Sequence, residues 1–175
     1  MILVPKFIAG MKADVNNNIF FLNDSTVLYP AGHNIVIYNM DDKQQTRYIP
    51  GIEGSEGITA LALNRNKTHL AVAEKTHKTP ICSVYNLETM RRKIIVSNEI
   101  TKQREFISIA FSPTDDKKLV TLTENAHDQQ QIFIWQWDKA KCHTQQLVPN
   151  SGSNGWGTQV SFSNFDEKSL LVTGP

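Results

Sequence analysis

The stretch Phe106-Ile107-Ser108-Ile109-Ala110-Phe111-Ser112-Pro113 decides the fold, because it has counterparts elsewhere in the chain. Ile58-Thr59-Ala60-Leu61-Ala62-Leu63-Asn64 lies upstream, and Gln159-Val160-Ser161-Phe162-Ser163 lies downstream. With Ala62, Ala110 and Ser161 in one column, the copies are spaced by 48 and 51 residues. Each copy alternates large apolar and small residues at period two, the periodicity of a strand with two different faces. A small residue between two large ones suits a face pressed closely against a neighbouring sheet.

The residues after each copy repeat as well. A polar turn comes first: Arg65 to Thr68, Thr114 to Lys117, and Asn164 to Lys168. These turns are rich in Asn, Asp, Lys and Thr, which either satisfy their own backbone or stay solvated. A second strand comes next, at His69 to Ala73, Lys118 to Thr123 and Ser169 to Thr173. A third reads Pro80-Ile81-Cys82-Ser83-Val84-Tyr85-Asn86 in one copy and Gln131-Ile132-Phe133-Ile134-Trp135-Gln136 in the next. An earlier example stands at Asn34-Ile35-Val36-Ile37-Tyr38-Asn39. Each ends in an aromatic followed by an amide, then a charged turn. A more polar fourth strand comes after it at Thr46 to Ile49, Lys93 to Val96 and Thr144 to Val148.

Four strands recurring at a period of about 40–50 residues mark the blades of a β-propeller. The expected fold is all-β: an incomplete propeller of about three and a half four-stranded blades. The blades are expected at 16–51, 57–98, 104–148 and, incomplete, 155–175, after an N-terminal segment 1–15. The first blade lacks the small-residue strand and offers Ile19-Phe20-Phe21-Leu22 and then Ser25 to Tyr29 instead. A blade buries its faces against its neighbours, so an unclosed set leaves strand edges unpaired. Val160, Phe162, Leu170 and Leu171 are expected on such an exposed apolar face. The chain therefore reads as a stretch of a longer protein, a truncated product, or a half that another chain completes; the first is preferred.

Composition narrows the function classes. The 175 residues carry 18 basic and 17 acidic side chains, a net charge of +1. That balance gives no general attraction to nucleic acid or to an anionic membrane. No apolar run approaches the roughly 20 residues that cross a bilayer, and the apolar start Met1 to Val4 stops at Pro5 and Lys6. Two cysteines, Cys82 and Cys142, are too few for a disulfide framework. The chain reads as intracellular, with reduced thiols.

The residues of catalysis are not assembled in any motif, and no catalytic, cofactor-binding or metal-binding residue is expected. Gly152-Ser153-Asn154-Gly155-Trp156-Gly157 is glycine-rich but lacks the Lys-Ser/Thr and the helix of a phosphate loop. It reads as a loop between blades. His33, His69, His77, His127 and His143 show no ligand spacing; Cys142 and His143 are neighbours on a strand and point to opposite faces. Asp115-Asp116-Lys117-Lys118 reads as a solvated turn before it reads as a calcium site. The densest basic cluster is Arg91-Arg92-Lys93 with Lys102 and Arg104; it is the weak candidate for partner binding, toward acidic surfaces. Phe133, Trp135 and Trp137 share a face by alternation, and burial between blades is the preferred reading for Trp135 at least.

The blade pattern resembles the WD-repeat family, which ends its third strands in Trp-Asp. Here those positions hold Tyr38-Asn39, Tyr85-Asn86 and Trp135-Gln136, so the aromatic is kept and the acid becomes an amide. Trp137-Asp138 is a literal pair two residues late, and no Gly-His pair occurs. A narrower resemblance rests on Asn16 to Phe21, Val27 to His33, the turn Tyr48-Ile49-Pro50-Gly51 and the double-Trp strand Trp135-Gln136-Trp137. In that order, over roughly residues 15–174, they are similar to WD-repeat proteins of the motile-cilium axoneme. The resemblance implies N-terminal propellers ahead of a long coiled coil. It implies a non-catalytic docking role in the cytoskeleton of the cilium or flagellum. Implied partners are doublet microtubules, inner dynein arm components, the dynein regulatory complex and other WD-repeat proteins, with no cofactor, nucleic acid or membrane. The alternatives are a generic cytosolic WD-repeat adaptor in signalling or trafficking, or an enzyme on a propeller scaffold.

Overall fold

Short antiparallel strands make up most of the computed structural model, which describes residues 6–95, 97–149, 156–164 and 169–174. The first sheet holds β1 (Phe20–Phe21), β2 (Thr26–Ala31), β3 (Asn34–Asn39) and β4 (Gln44–Ile49). The second holds β5 (Ser55–Leu63), β6 (His69–Thr76), β7 (Ile81–Asn86) and β8 (Arg92–Ile95). The third holds β9 (Gln103–Phe111), β10 (Lys118–Asn125), β11 (Gln130–Gln136) and β12 (Lys141–Leu147). A two-stranded sheet pairs β13 (Gln159–Phe162) with β14 (Leu170–Thr173). Every pairing is antiparallel between strands consecutive in the chain, as hairpin connections require. Among the described residues the helices are two single 3₁₀ turns, Ile100–Lys102 and Trp137–Lys139.

The sheets stack face to face, as blades of an open, unclosed propeller. Between the second and third sheets, Ala60, Ala62, Ala71 and Ala73 form a flat floor. Phe106, Phe111, Phe133 and Trp135 of the third sheet fill the space above it. The period-two alanines thus do what their size allows: they bring two sheets close enough for aromatics to seat fully. Trp135 and Phe133 are completely buried and stacked, with ring centroids 5.4 Å apart. The first and second sheets meet through Leu28, Ile35, Ile37 and Ile49 against Ile58, Leu61, Leu70 and Val72. Each of these large side chains contributes about 1.5–3 kcal/mol on burial. Register shifts recur at Ile37/Tyr38 and Ile134/Trp135, where third strands pair with fourth strands. Such bulges add twist at the outer edge of a blade.

Two expectations change. Val160 and Phe162 are not on an exposed face: they are buried against Val120 and Leu122 of the third sheet. β13 packs its own apolar face onto the sheet before it, so the exposed side is carried by Leu171, at 57%. Trp137 does not continue the aromatic face of β11. The strand ends at Gln136, and Trp137 turns into the 3₁₀ helix, where its Nε1 donates to the Asp116 carbonyl at 2.7 Å. Met1 to Pro5, Val96, Gly152 to Gly155 of the glycine-rich loop and most of the turn Asn164 to Lys168 lie outside the described residues.

The N-terminal segment docks on the first sheet. Ile8 exchanges two hydrogen bonds with the Gln45 side chain, at 2.8 and 2.7 Å. The Tyr48 hydroxyl donates to the Lys6 carbonyl, and Lys12 N–H donates to the Pro30 carbonyl at 2.8 Å. Further on, Asn16 Nδ2 reaches the Thr158 carbonyl at 3.4 Å, just ahead of β13. The segment therefore runs as a strap from the outer strand β4 toward the fourth sheet. It lies on the side of Gln45, Tyr48 and Tyr29, the face turned away from the second sheet. Val36, which sits between Tyr29 and Tyr48 in register, is fully buried there.

Candidate functional site

The five basic residues do not form one patch. β8 runs from Arg92, opposite Tyr85, to Ile95, opposite Cys82. Arg91, Arg92 and Lys93 thus stand at the start of that outer strand, whereas Lys102 and Arg104 come beyond its far end. All five are exposed, but two are engaged across the fold. Lys93 Nζ donates to the Asp138 carbonyl, joining the second sheet to the third. Arg104 is paired with Glu124 and with Asp128, the latter at 3.0 Å. The cation cluster is legible in the chain, and the strand between its halves separates it in space.

Arg92 borders a groove of about 320 Å³ between the first two sheets, lined by Tyr48, Pro50, Ile52, Tyr85 and Met90. Burial pushes the Tyr85 hydroxyl above its usual range, against the opposing pull of Arg92. A second groove, about 440 Å³, lies where the innermost strands converge, between Asp14, Glu56, Thr59, Lys75, Glu105 and Thr158. Its charges are tied in pairs: Lys12–Asp14 at 2.7 Å, Lys75–Glu105 at 3.5 Å, and His77 with Glu56. The hydrogen bond from Lys12 holds the Asp14 carboxyl below its usual range. General acid–base work needs a group free to exchange a proton with a bound molecule, and each of these acids is engaged by a neighbouring side chain. Among the described residues no three His, Cys, Asp or Glu side chains converge as metal ligands. Among them, too, no helix is long and apolar enough to cross a membrane.

Buried polar groups instead sit at the seams between sheets. Gln130, only 3% exposed, grips the backbone of Gly157: its Nε2 donates to the carbonyl at 2.8 Å and its Oε1 accepts the N–H at 2.7 Å. The amide mimics a strand pair and ties the fourth sheet to the third. A Cβ at position 157 would stand 2.6 Å from Val172 Cγ1 and crowd Gln130 and Leu122, so space favours glycine there. Ser108 Oγ accepts Val160 N–H at 3.1 Å across the same seam. Within the third sheet, Gln103 of β9 bridges Thr123 of β10, at 2.9 Å, and Gln131 of β11, also at 2.9 Å. Glu74 of β6, buried at 1% exposure, accepts Ile52 N–H at 3.1 Å and so holds the connection between the first two sheets. Sequence alone assigns none of these roles. Period two counted back from Trp135 through Phe133 and Gln131 would have placed Gln130 on the face toward the fourth sheet.

The expected turns carry more structure than solvation. Asp116 accepts from Asn64 at 3.2 Å and from Asn66 as well, so the Asp115–Lys118 turn is an inter-sheet latch. His69 lies against Trp137 with centroids 5.2 Å apart, closing the same rim. The amides that replace the family's acid cap their own turns. Asn39 Oδ1 accepts from the N–H groups of Asp41 and Asp42, and Asn86 Oδ1 from those of Glu88 and Thr89, all within 3.0 Å. Trp135 Nε1 donates to Thr121 Oγ1 at 3.0 Å inside the core, locking third strand to second.

These features define a class: an open β-propeller built of consecutive four-stranded antiparallel sheets, with polar latches at its seams. The β-propeller domain of the trilobed protease from Pyrococcus furiosus, described as having an open velcro topology, shares the fold. It superposes with a TM-score of 0.55 at 16% identity, over 79% of this chain and 44% of that one. No family model matches the chain. Cilia- and flagella-associated protein 57 of Mus musculus is 32% identical over 94% of the chain. Cilia- and flagella-associated protein 57 C of Tetrahymena thermophila is 27% identical over 97%. Cilia- and flagella-associated protein 44 of Mus musculus is 27% identical over 90%. The chain belongs to the same family as the cilia- and flagella-associated protein 57 sequences. It spans 13% of the length of the first two relatives.

Proposed function

We propose that this chain is a non-catalytic docking module of the motile-cilium axoneme. The observation that carries the reading is the similarity to cilia- and flagella-associated proteins along almost the whole chain. The site geometry supports it. Ionisable side chains of the inner groove are paired with one another, and the buried polar chemistry lies in seams that hold sheets together. In this reading residues 16–175 act as one partial propeller. Its rims face doublet microtubules and inner dynein arm components, with further contacts to the dynein regulatory complex and other WD-repeat proteins. Arg91, Arg92 and Lys102 are the cations it presents to an acidic partner, since Lys93 and Arg104 are engaged within the chain.

The test is localisation and extraction in a ciliated cell. A tagged chain is expected in the ciliary shaft and in the doublet fraction after detergent removes membrane and matrix. Charge-mediated docking predicts that raising the salt concentration releases it, because exposed ion pairs are screened. A tagged chain spread evenly through the cytosol, absent from isolated axonemes, sinks the reading and favours a general cytosolic adaptor.

A further inference from the structure

We propose that the groove where the outer strands of the first two sheets meet receives one large apolar side chain of a partner polypeptide, flanked by a carboxylate that Arg92 holds. The proposal deepens the docking-module reading and rests on it. The groove, about 320 Å³, has Pro50 and Ile52 on the side of the first sheet and Tyr85 and Met90 on the side of the second. Each of these sheets has its four strands, and the connection between them is described throughout. The opening is therefore not a place kept for a further strand or sheet.

The seam between the second and third sheets shows how such a corner is filled. Tyr85 stands opposite Arg92 in the second sheet, and Trp135 stands opposite Cys142 in the third. Two residues before each partner comes a left-handed turn residue, Met90 at φ 58° and Ala140 at φ 51°. Tyr85, Met90 and Arg92 thus hold the places of Trp135, Ala140 and Cys142. At the second corner, the 3₁₀ turn after β8 buries Ile100 to 5% exposure in one cluster with Ile95 and Trp135. Cys142 packs on the same cluster. At the first corner the connection is shorter, residues 50–54 against 96–102. Its isoleucine, Ile52, stays half-buried, and the groove remains open beside it. An apolar side chain from outside supplies there what Ile100 supplies at the other corner.

The rim selects the neighbour of that side chain. Arg92 is exposed at the mouth of the groove, and Arg91 adds a second positive charge one residue away. Arg92 also engages the Tyr85 hydroxyl. A guanidinium carries several N–H donors in a planar fork, so it keeps donors for a carboxylate. Glu53, the one acid among the lining residues, offsets one of the two cations and leaves the mouth positive. An apolar anchor under a charged rim is the anatomy of a protein–protein hot spot. A polypeptide presents both groups, the carboxylate and the large apolar side chain, at neighbouring positions.

The probe is a phage-displayed library of short random peptides, selected on the folded chain. Enriched clones are expected to carry an acidic residue next to, or one residue away from, a large apolar one. The strongest clone, made as a synthetic peptide, is titrated onto the chain with its methionine methyls isotope-labelled. The Met90 signal is expected to shift while those of Met11 and Met40 stay in place. Arg92→Glu reverses the charge at the mouth and weakens binding about tenfold or more. Ile52→Trp fills the groove from within and abolishes binding. Thermal melts like that of the wild type show that the variants fold; if Ile52→Trp does not, the exposed Arg92→Glu still decides. A selection without saturable clones, clones without an acid, a stationary Met90 signal, or undiminished binding to Arg92→Glu overturns the proposal. Should the selection fail while the chain still sediments with axonemes, the groove assignment falls and the docking role stands. Should a clone bind at Met90 to a chain absent from axonemes, the groove stands and the axonemal reading falls.

Discussion

Trp135 shows how a single side chain can secure two sheets. Its ring fills the alanine floor of the second sheet, and its Nε1–H reaches Thr121. Trp135→Phe keeps most of the volume and abandons the Thr121 hydroxyl, at a cost of about 1–3 kcal/mol. Trp135→Ala opens a cavity and costs about 3–5 kcal/mol. Urea unfolding should rank the wild type above the Phe variant and the Phe variant above the Ala variant. Equal midpoints would show that the ring is not a keystone. Cys82 sits on the other side of the same seam, fully buried, and burial pushes its thiol up to about 12. Its ordinary value is 9.0. The unfolded chain therefore releases this proton first as pH rises. The thiol's contribution to stability is complete below pH 9.0 and is lost progressively as pH climbs toward about 12. A thiol reagent at mildly alkaline pH should label Cys142 quickly and Cys82 only on unfolding, a difference that mass spectrometry of native and denatured samples resolves.

At the level of strands and turns, the Gln130–Gly157 clamp binds the smallest sheet to its neighbour. Gln130→Ala leaves the Gly157 N–H and C=O without this partner in a buried place, costing about 1–3 kcal/mol per group. The loss should be local. Amides of Val160 and Phe162 are expected to exchange faster while those of Leu70 and Val72 stay unchanged, as native-state hydrogen exchange would report. Uniform acceleration across all sheets would argue against a separable fourth sheet. The strands themselves are legible in the sequence, because period-two alternation and repeated turn residues survive in each copy. Ile81–Asn86 and Gln130–Gln136 are found within one residue of where the pattern puts them. The seams are not legible. Alternation says which side chains share a face and is silent about what that face meets. Hence Gln130, Ser108 and Glu74 pass for ordinary polar residues in the sequence, and Val160 and Phe162 pass for exposed ones. The basic candidates fail to gather for a related reason: proximity in the chain does not carry around the two ends of a strand.

For the molecule as a whole, the N-terminal strap is bonded to the outer side of the first sheet, the side on which Val36 is buried. A chain beginning at residue 14 lacks the groups that bond Gln45, Tyr48 and Pro30. It should expose Val36 and self-associate, because an uncovered sheet face seeks another. Light scattering at increasing concentration is expected to show growth for the truncated chain and not for the full one. If both stay monomeric, the strap contributes little to solubility. Circular dichroism of the two should agree in the β region, since the strap adds contacts rather than strands.

The strap also bears on how a complete ring could close. The side of the first sheet on which Ile8 rests is the side where a final sheet would have to arrive. That last arrival must either lift the strap away or accept it as part of the joint. Sealing of the gap next to the first sheet therefore depends on the fate of residues 6–12. A bulky fusion placed ahead of the chain would obstruct that joint, whereas one placed in the Asp41–Lys43 turn would leave it clear.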